Sequence, residues 1–247
     1  MQGLQLPLGV QLSDTASFES YYAGPNDVAV AALAGLLAPA SPPLLWLFGP
    51  RGCGKTHLLQ ALTRRGAGGG DGNIVPRTGA ERGGSTACAY IPLREMSVDA
   101  LEGLEQADAV CLDDVDAVLD DAFWPLVLLR FLDQLRAHGG RCAMSASAPP
   151  ERLVLSLPDL KTRFSAAAIY GLKPLTDDDR GQLLRERAQA RGLELPEESA
   201  RYLLVHLPRG TGDLLDALDA LDRASLSAQR ALTLPFVQQW LRGSAMP

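Results

Sequence analysis

The first two thirds of the chain contain five apolar runs, and between them lie stretches whose apolar residues recur at helical spacing. Residues 26–37 place Val30, Leu33, Leu36 and Leu37 at helical intervals, and residues 56–65 continue as a second helix. Strands that alternate with helices indicate a parallel sheet covered on both faces. The pattern therefore predicts a three-layer α/β domain over residues 17–173. Its predicted strands are residues 44–48, 86–93, 108–114, 141–147 and 167–172.

The pattern changes after residue 173, where apolar positions follow a helical period only. LTDDDRGQLLRERAQARGLEL reads as an amphipathic helix with Thr176 as its N-cap. Further helices are predicted at residues 197–207, 212–228 and 234–241. Residues 174–247 are therefore expected to form a small all-helical second domain.

One glycine-rich segment interrupts the α/β pattern. Residues 66–85 contain too few apolar positions to bury a face, which predicts a flexible surface insertion. We treat residues 1–16 as a separate N-terminal peptide.

Composition narrows the classes of function. The net charge of −6 disfavours a protein that mainly grips DNA, since that needs a basic face. No apolar run approaches the ~20 residues that span a bilayer, and the N-terminus lacks the features of a signal peptide, so a cytoplasmic protein is expected. The cysteines have no metal-type spacing and read as reduced packing residues. Cys53 differs because it lies among loop amides, which can lower the pKa of a thiol.

A phosphate-binding P-loop follows the first apolar run. The sequence GPRGCGKTH matches the spacing in which glycines let backbone N–H groups wrap a phosphate. In this motif Lys55 reaches the terminal phosphates and the Thr56 hydroxyl takes a Mg²⁺ position. A nucleoside triphosphate is the expected ligand, and a glycine-rich surface turn is the alternative. The predicted nucleotide-binding residues are Gly49, Pro50, Arg51, Gly52, Cys53, Gly54, Lys55, Thr56 and His57.

A second chemical signal is AVCLDD, an apolar run that delivers two carboxylates at its end, about sixty residues after the P-loop. One carboxylate can hold Mg²⁺ through water, and the other can orient the attacking water. We assign Asp113 to the metal and Asp114 to the water. The alternative is that both are ordinary turn-forming residues.

Several segments together resemble a known family. GKTHLL after the P-loop, the paired carboxylates, APPERL at 148–153 and LPDLKTRF at 157–164 resemble the AAA+ ATPase core of the bacterial replication initiator DnaA. LKPLTDDDR at 172–180, LDRASLSAQRALTLPFV at 221–237 and QLPLGVQL at 5–12 are similar to Hda, the family of DnaA-related regulators. The resemblance implies an AAA+ domain followed by a helical lid domain, with ADP or ATP and Mg²⁺ as ligands.

The resemblance also implies partners. An N-terminal peptide that includes Gln5, Leu6 and Leu8 would dock on the β sliding clamp, with the alternative that this tail packs on its own domain. Arg163 matches the family's arginine finger, which acts on ATP held by the initiator. Its alternative is a surface salt bridge. Self-association is a further possibility, whereas little direct DNA binding and no membrane contact are expected.

Two positions depart from the family pattern. Ser147 stands where DnaA relatives have an aspartate sensor at the end of the fourth strand, and Gly212 stands at the position of the lid sensor arginine. Arg209 lies three residues before Gly212. Slow intrinsic hydrolysis is therefore expected. The predicted function is a regulator of chromosomal replication initiation that stimulates hydrolysis of DnaA-bound ATP and so prevents re-initiation; the alternative is an autonomous AAA+ ATPase or a DnaC-type helicase loader.

Overall fold

The computed structural model describes residues 16–66, 87–208 and 210–244. The predicted clamp-binding residues Gln5, Leu6 and Leu8 lie outside these ranges. Nearly all of the glycine-rich segment 66–85 and Arg209 do so as well.

Five parallel strands form one sheet in the order β2-β3-β4-β1-β5. Each strand falls within one of the five predicted runs, and the α/β prediction is confirmed. The strands are β1 (Leu44–Phe48), β2 (Cys88–Pro92), β3 (Ala109–Asp113), β4 (Arg141–Ala146) and β5 (Ala168–Gly171).

Helices cover both faces of the sheet, which makes the predicted three layers. Along β1, Leu45 and Leu47 face the side where α1 (Asp27–Ala34) and α2 (Lys55–Gly66) pack. Leu44 and Trp46 face the opposite side. Both faces of β1 are buried, so its sequence is continuously apolar instead of alternating.

The second helical layer consists of α3 (Trp124–Ala137) and α4 (Pro158–Ser165). Leu128 and Phe131 of α3 and Phe164 of α4 are buried in the same core cluster as Trp46. The Trp46 and Phe164 rings lie 4.8 Å apart in a tilted arrangement, which favours aromatic packing. This layer fixes α4 on the face of the sheet that α2 does not occupy.

One edge of the sheet gathers the predicted site residues. The strands are parallel, so the carboxyl ends of β3, β4 and β1 lie side by side, with Leu112 opposite Met144 and Phe48 opposite Ala146. The P-loop leaves the end of β1, and the two carboxylates leave the end of β3. Ligands in open α/β sheets bind at this carboxyl edge, so the fold brings these segments to one site.

The chain divides into two compact units, residues 1–174 and 175–247. The second unit contains four helices in its described part and has its own core, formed by residues such as Leu184, Leu203, Leu218 and Val237. Thr176 caps the first of these helices, as predicted, in a reciprocal capping box with Asp179. The helices are α5 (Asp177–Ala190), α6 (Glu197–His206), α7 (Thr211–Ala228) and α8 (Leu234–Ser244).

Two sequence expectations are adjusted. Helix α1 ends at Ala34, before the predicted end at residue 37, and Asn26 belongs to a short 3-10 turn that precedes the helix.

Among the described residues, no helix has the length and apolar character needed to cross a membrane.

Candidate nucleotide-binding site

The P-loop occupies residues 49–54 and connects β1 to α2. Gly54 has φ +92°, and a Cβ there would overlap the ring of Tyr21. A Cβ on Gly49 would come 2.6 Å from the carbonyl oxygen of Leu172. Only glycine fits both positions, because one needs a left-handed backbone and the other a close backbone approach.

Lys55 is the first residue of α2, and its side chain turns into the loop. The residue is 8% exposed, and Nζ donates to the carbonyl oxygens of Gly49 at 2.8 Å and Pro50 at 3.1 Å. The first N–H groups of a helix lack partners within the helix, and its dipole favours an anion at this end. The loop, the ammonium group and the helix N-terminus therefore form a cradle for a phosphate group.

Asp113 is the centre of a polar cluster beside this cradle. It is 4% exposed, and its Oδ2 accepts hydrogen bonds from Thr56 Oγ1 at 2.6 Å and from Tyr90 Oη at 2.8 Å. Ser145 Oγ donates to the other carboxylate oxygen. The structure thus brings together the predicted Mg²⁺ residues Thr56 and Asp113 and adds two residues that the sequence analysis missed, Tyr90 and Ser145.

Tyr90 acts as a hydrogen-bond donor in this cluster. Burial raises the pKa of its phenol first, and the carboxylate of Asp113 raises it further, so the hydroxyl keeps its proton at neutral pH. The available sequence signal was a polar atom inside the otherwise apolar strand β2. Nothing in the sequence indicated which neighbouring strand it would meet.

Asp114 adopts a left-handed backbone conformation with φ 55° immediately after β3. Its N–H donates to Ser145 Oγ at 3.0 Å, which supports this conformation. Its carboxylate lies 3.2 Å from Nε of Arg94, in a pair whose side chains are 41% and 67% exposed. The residue predicted to orient water therefore already has a cationic partner.

Ser147 lies one residue beyond the end of β4. Its N–H donates to Asp116 Oδ2 at 2.9 Å, and its hydroxyl donates to the same oxygen. The serine hydroxyl that contacts Asp113 belongs to Ser145 instead. The sensor role of Ser147 stays a prediction.

The segment before α1 packs against the P-loop and α2. Tyr21 Oη donates to the carbonyl oxygen of Cys53 at 2.9 Å. His57 Nε2 lies 3.0 Å from the carbonyl oxygen of Ser17 and 3.1 Å from Ser20 Oγ. These contacts hold two of the predicted nucleotide-binding residues in place.

The expectation of a lowered thiol pKa at Cys53 is wrong. Burial raises the pKa, and this effect is larger than the lowering by the Lys55 charge and by backbone hydrogen bonds. Cys53 therefore behaves as a packing residue, like the other cysteines.

Arg163 is not part of this cluster. It lies on α4, and its Nε donates to Asp133 Oδ1 of α3 at 2.7 Å. Arg163 and Asp133 are 39% and 45% exposed. The hydrogen bond and the charge of Asp133 raise the pKa of the guanidinium, which stays protonated.

Gly212 lies in the first turn of α7 and is exposed. A Cβ at this position would meet no atom within 4 Å. Packing within the second unit therefore does not require a glycine at position 212.

The residues present fit a nucleotide with Mg²⁺. The described residues contain no group of three or more His, Cys, Asp or Glu side chains arranged to hold a metal ion. Magnesium at phosphate sites needs few protein ligands, because it keeps waters and binds phosphate oxygens. Thr56 and Asp113 supply oxygen atoms of this kind beside the phosphate cradle.

The fold and this site define a class. AAA+ P-loop proteins share three features of this chain: a parallel sheet whose P-loop strand lies between β4 and β5, an aspartate at the end of β3, and a separate helical unit. Residues 12–171 match the bacterial DnaA ATPase domain, and residues 177–241 match the lid domain of Hda. The chain belongs to the DnaA-related AAA+ family and is of the Hda type, which confirms the recognition from sequence.

Solved structures of similar fold agree with this assignment. Domain III of Thermotoga maritima DnaA is 20% identical over 96% of this chain and 99% of that chain, with a TM-score of 0.69. AMPPCP-bound DnaA from Aquifex aeolicus is 18% identical over 85% of this chain and 66% of that chain, with a TM-score of 0.62. The Thermotoga maritima RuvB branch migration motor is 12% identical over 86% and 66%, with a TM-score of 0.60. At these identities the likeness shows the fold alone.

Proposed function

We propose that this protein regulates initiation of chromosomal replication by stimulating hydrolysis of ATP bound to the initiator DnaA. Its membership of the DnaA-related family, with a lid of the Hda type, supports this proposal. The observation that carries it is that Arg163 lies on α4, in the helical layer opposite α2, with a side chain that is 39% exposed.

The topology supports action on a partner's nucleotide. Helix α4 lies on the face of the sheet opposite α2, and Arg163 comes five residues before β5 begins. In a parallel sheet the start of β5 lies at the amino edge, whereas the P-loop lies at the carboxyl edge. Arg163 therefore lies near the edge of the sheet opposite the phosphate cradle, and we propose that it serves ATP on a neighbouring molecule.

The chemistry of Arg163 suits this role. Charge builds on the transferred phosphoryl group as hydrolysis proceeds, and a guanidinium stabilises it. Such fingers raise the rate by about 10³–10⁵. Asp133 holds the guanidinium in place until the partner's phosphates replace it as the acceptor.

The protein's own nucleotide has a supporting role in this proposal. ADP or ATP binds at the P-loop, with Lys55 and the loop N–H groups on the phosphates and with Thr56 and Asp113 toward Mg²⁺. The ion, when bound, neutralises phosphate charge. The DnaA of Aquifex aeolicus, which shares the fold, is bound to the ATP analogue AMPPCP. We expect slow intrinsic hydrolysis, because Asp114 is paired with Arg94 and position 212 is glycine.

We further propose that the N-terminal peptide docks on the β sliding clamp in the cytoplasm. Gln5 would donate and accept hydrogen bonds, and Leu6 and Leu8 would fill an apolar groove. This attachment would couple inactivation of the initiator to DNA synthesis. The peptide lies outside the described residues, so sequence alone supports this part.

Hydrolysis of labelled ATP on purified DnaA tests the proposal, with clamp and primed DNA present or absent. Arg163→Ala should lose at least 100-fold of the stimulation and keep its own nucleotide. Arg136→Ala, which removes another exposed arginine of the same layer, should behave as wild type. Gln5→Ala with Leu6→Ala should lose only the clamp-dependent part.

Two outcomes would contradict the proposal. If Arg163→Ala stimulates hydrolysis fully, Arg163 is not the arginine finger. Fast hydrolysis by the protein alone, unaffected by Arg163→Ala and abolished by Asp114→Asn, would indicate an autonomous ATPase.

A further inference from the structure

A groove lies between the first turn of α3 and the extended segment 153–157 that leads into α4. Its volume is about 430 Å³, and its apolar lining includes Leu119, Pro125, Leu126 and Leu155. Large apolar side chains are exposed in the lining, at Leu126 and Val154, and next to it in sequence, at Phe123. Phe123 is 71% exposed, Leu126 is 45% exposed and Val154 is 89% exposed. Half of the six exposed large hydrophobic residues in the described part of the chain are these three.

The exposure of Val154 follows from the conformation of its segment. Leu153, Leu155 and Leu157 are partly buried against the core, while Val154 and Ser156 are exposed. This alternation is the period-two pattern of an extended chain, in which every second side chain packs against the core. Val154 contributes nothing to that packing. A cluster of exposed apolar side chains around a concavity is typical of an interaction surface.

The groove is acidic on one side. Asp120 and Asp121 line it, and none of its lining residues in the described part of the chain is a lysine, arginine or histidine. Asp121 Oδ1 accepts from the N–H groups of Phe123 at 2.7 Å and Trp124 at 3.2 Å, which satisfies its charge at the start of α3. Asp120 is exposed and has no hydrogen bond or ion pair with any described residue. The surface therefore offers an apolar pocket beside a carboxylate that no described residue pairs with, which fits an apolar side chain with a neighbouring lysine or arginine.

The groove shares a surface with Arg163. Leu126 and Asp133 are seven residues apart on α3 and both exposed, so they lie on one helix face about 10 Å apart. Asp133 pairs with Arg163, and the groove's other wall leads directly into the helix that carries Arg163. A partner that brings a nucleotide to Arg163 would therefore also lie over the groove.

We propose that this groove is a docking site for ATP-bound DnaA, and that it receives an apolar side chain of the initiator flanked by a lysine or arginine that pairs with Asp120. This inference rests on the proposed function. The groove supplies affinity, because buried apolar anchors account for most of the binding energy of an interface. Arg163 supplies the rate of hydrolysis.

Affinity and rate are measured separately to test the proposal. Immobilised ATP-bound DnaA is titrated with wild-type protein and with Val154→Glu, Asp120→Lys and Val205→Glu. Val205 is the matched control, since it is 74% exposed and lies in the second unit. We expect Val154→Glu and Asp120→Lys each to raise the Kd at least tenfold, and Val205→Glu to change it less than twofold.

Stimulated hydrolysis at saturating protein completes the test. Val154→Glu should reach the wild-type maximum rate at a higher concentration. Arg163→Ala should bind with near wild-type Kd and fail to stimulate. Thermal unfolding followed by circular dichroism verifies that each variant is folded.

The outcomes separate this inference from the proposed function. If wild-type protein neither binds nor stimulates DnaA, the proposed function fails and the groove proposal fails with it. If wild-type protein stimulates DnaA, but Val154→Glu and Asp120→Lys bind with unchanged Kd, only the groove proposal is overturned. If these changes convert a dimer of this protein to monomers in sedimentation equilibrium and leave the Kd for DnaA unchanged, the groove joins two copies and the proposal is overturned.

Discussion

Replacing Ser145 by alanine tests the polar cluster around Asp113 most directly. Ser145 is fully buried, and its hydroxyl makes two hydrogen bonds. It donates to the carboxylate of Asp113 and accepts the N–H of Asp114 at 3.0 Å. The substitution therefore removes one donor from the buried carboxylate of Asp113. It also removes the acceptor of the Asp114 N–H, which has no other acceptor among the described residues.

The expected magnitude follows from these two contacts. A hydrogen bond to a charged group contributes about 1.5–3 kcal/mol, and a neutral one contributes about 1 kcal/mol. Tyr90 and Thr56 still donate to Asp113 after the change, so the carboxylate is not left alone. We expect Ser145→Ala to lower the free energy of unfolding by about 2–4 kcal/mol.

Ser147→Ala is the matched control. Among the described residues the Ser147 hydroxyl bonds to Asp116 alone, and Ser147 is exposed, so loss of the hydroxyl should change the free energy of unfolding by less than about 0.5 kcal/mol. Ser145 lies in β4, and Ser147 directly follows this strand. The two substitutions remove the same hydroxyl group, so a difference in stability between them reflects the different contacts of the two serines.

Urea unfolding followed by tryptophan fluorescence measures the difference. Because the chain has two compact units, the probe must report on one of them. In a Trp240→Phe background, the buried Trp46 and Trp124 report on the first unit. With an m-value of about 2 kcal/mol per molar, Ser145→Ala should move the midpoint down by about 1–2 M. Equal midpoints for Ser145→Ala and Ser147→Ala would refute the reasoning.

Three further predictions concern other contacts of the first unit. Arg94→Ala should release Asp114, change the free energy of unfolding by less than about 0.5 kcal/mol and increase phosphate release from ATP by the protein alone; an unchanged rate would contradict this. Asn26→Ala removes hydrogen bonds of 2.7 and 3.0 Å to the backbone of Lys173 and should destabilise the protein by about 2–3 kcal/mol in urea. Because burial raises the pKa of the Cys53 thiol, the thiolate is scarce at pH 8 and increases only at higher pH. Iodoacetamide should therefore label Cys53 more slowly at pH 8 in the folded than in the unfolded chain, and equal rates by mass spectrometry would count against this.

The P-loop and the order of elements were predictable because their signals are contiguous in sequence. Gly49 and Lys55 belong to one octapeptide, and each strand is a single apolar run. Thr56 was predicted to lie near Mg²⁺ from the P-loop motif, and Asp113 from the carboxylates that end an apolar run, so each came from its own contiguous signal. Local sequence was sufficient for these features.

Tyr90 and Ser145 could not be predicted, because their role depends on the register between strands. Tyr90 lies opposite Cys111, and Ser145 lies opposite Leu47, so both approach the end of β3 only in the assembled sheet. A polar residue within an apolar run signals that it has a partner. The run does not indicate which strand supplies that partner.

The pairing of Arg163 with Asp133 was equally hidden. The residues are on different helices, and their contact depends on how α3 packs beside α4. The sequence resemblance indicated a role for Arg163 and did not indicate which residue pairs with it.

The thiol of Cys53 shows the reverse case. The local loop sequence suggested a lowered pKa, and burial of the thiol in the folded protein raises the pKa instead.

The exposure of the Arg163–Asp133 pair decides whether the pair blocks or assists the proposed activity. Exposed ion pairs contribute about 0–1 kcal/mol, so replacing Asp133 by a partner's phosphate loses at most about a factor of five in affinity. An arginine finger raises the rate of hydrolysis by about 10³–10⁵, which exceeds this loss by orders of magnitude. The ion pair with Asp133 therefore restricts the motion of the guanidinium and lowers its affinity for a partner's phosphate only slightly. A buried pair would have kept Arg163 from leaving, because breaking it leaves a charge buried without a partner.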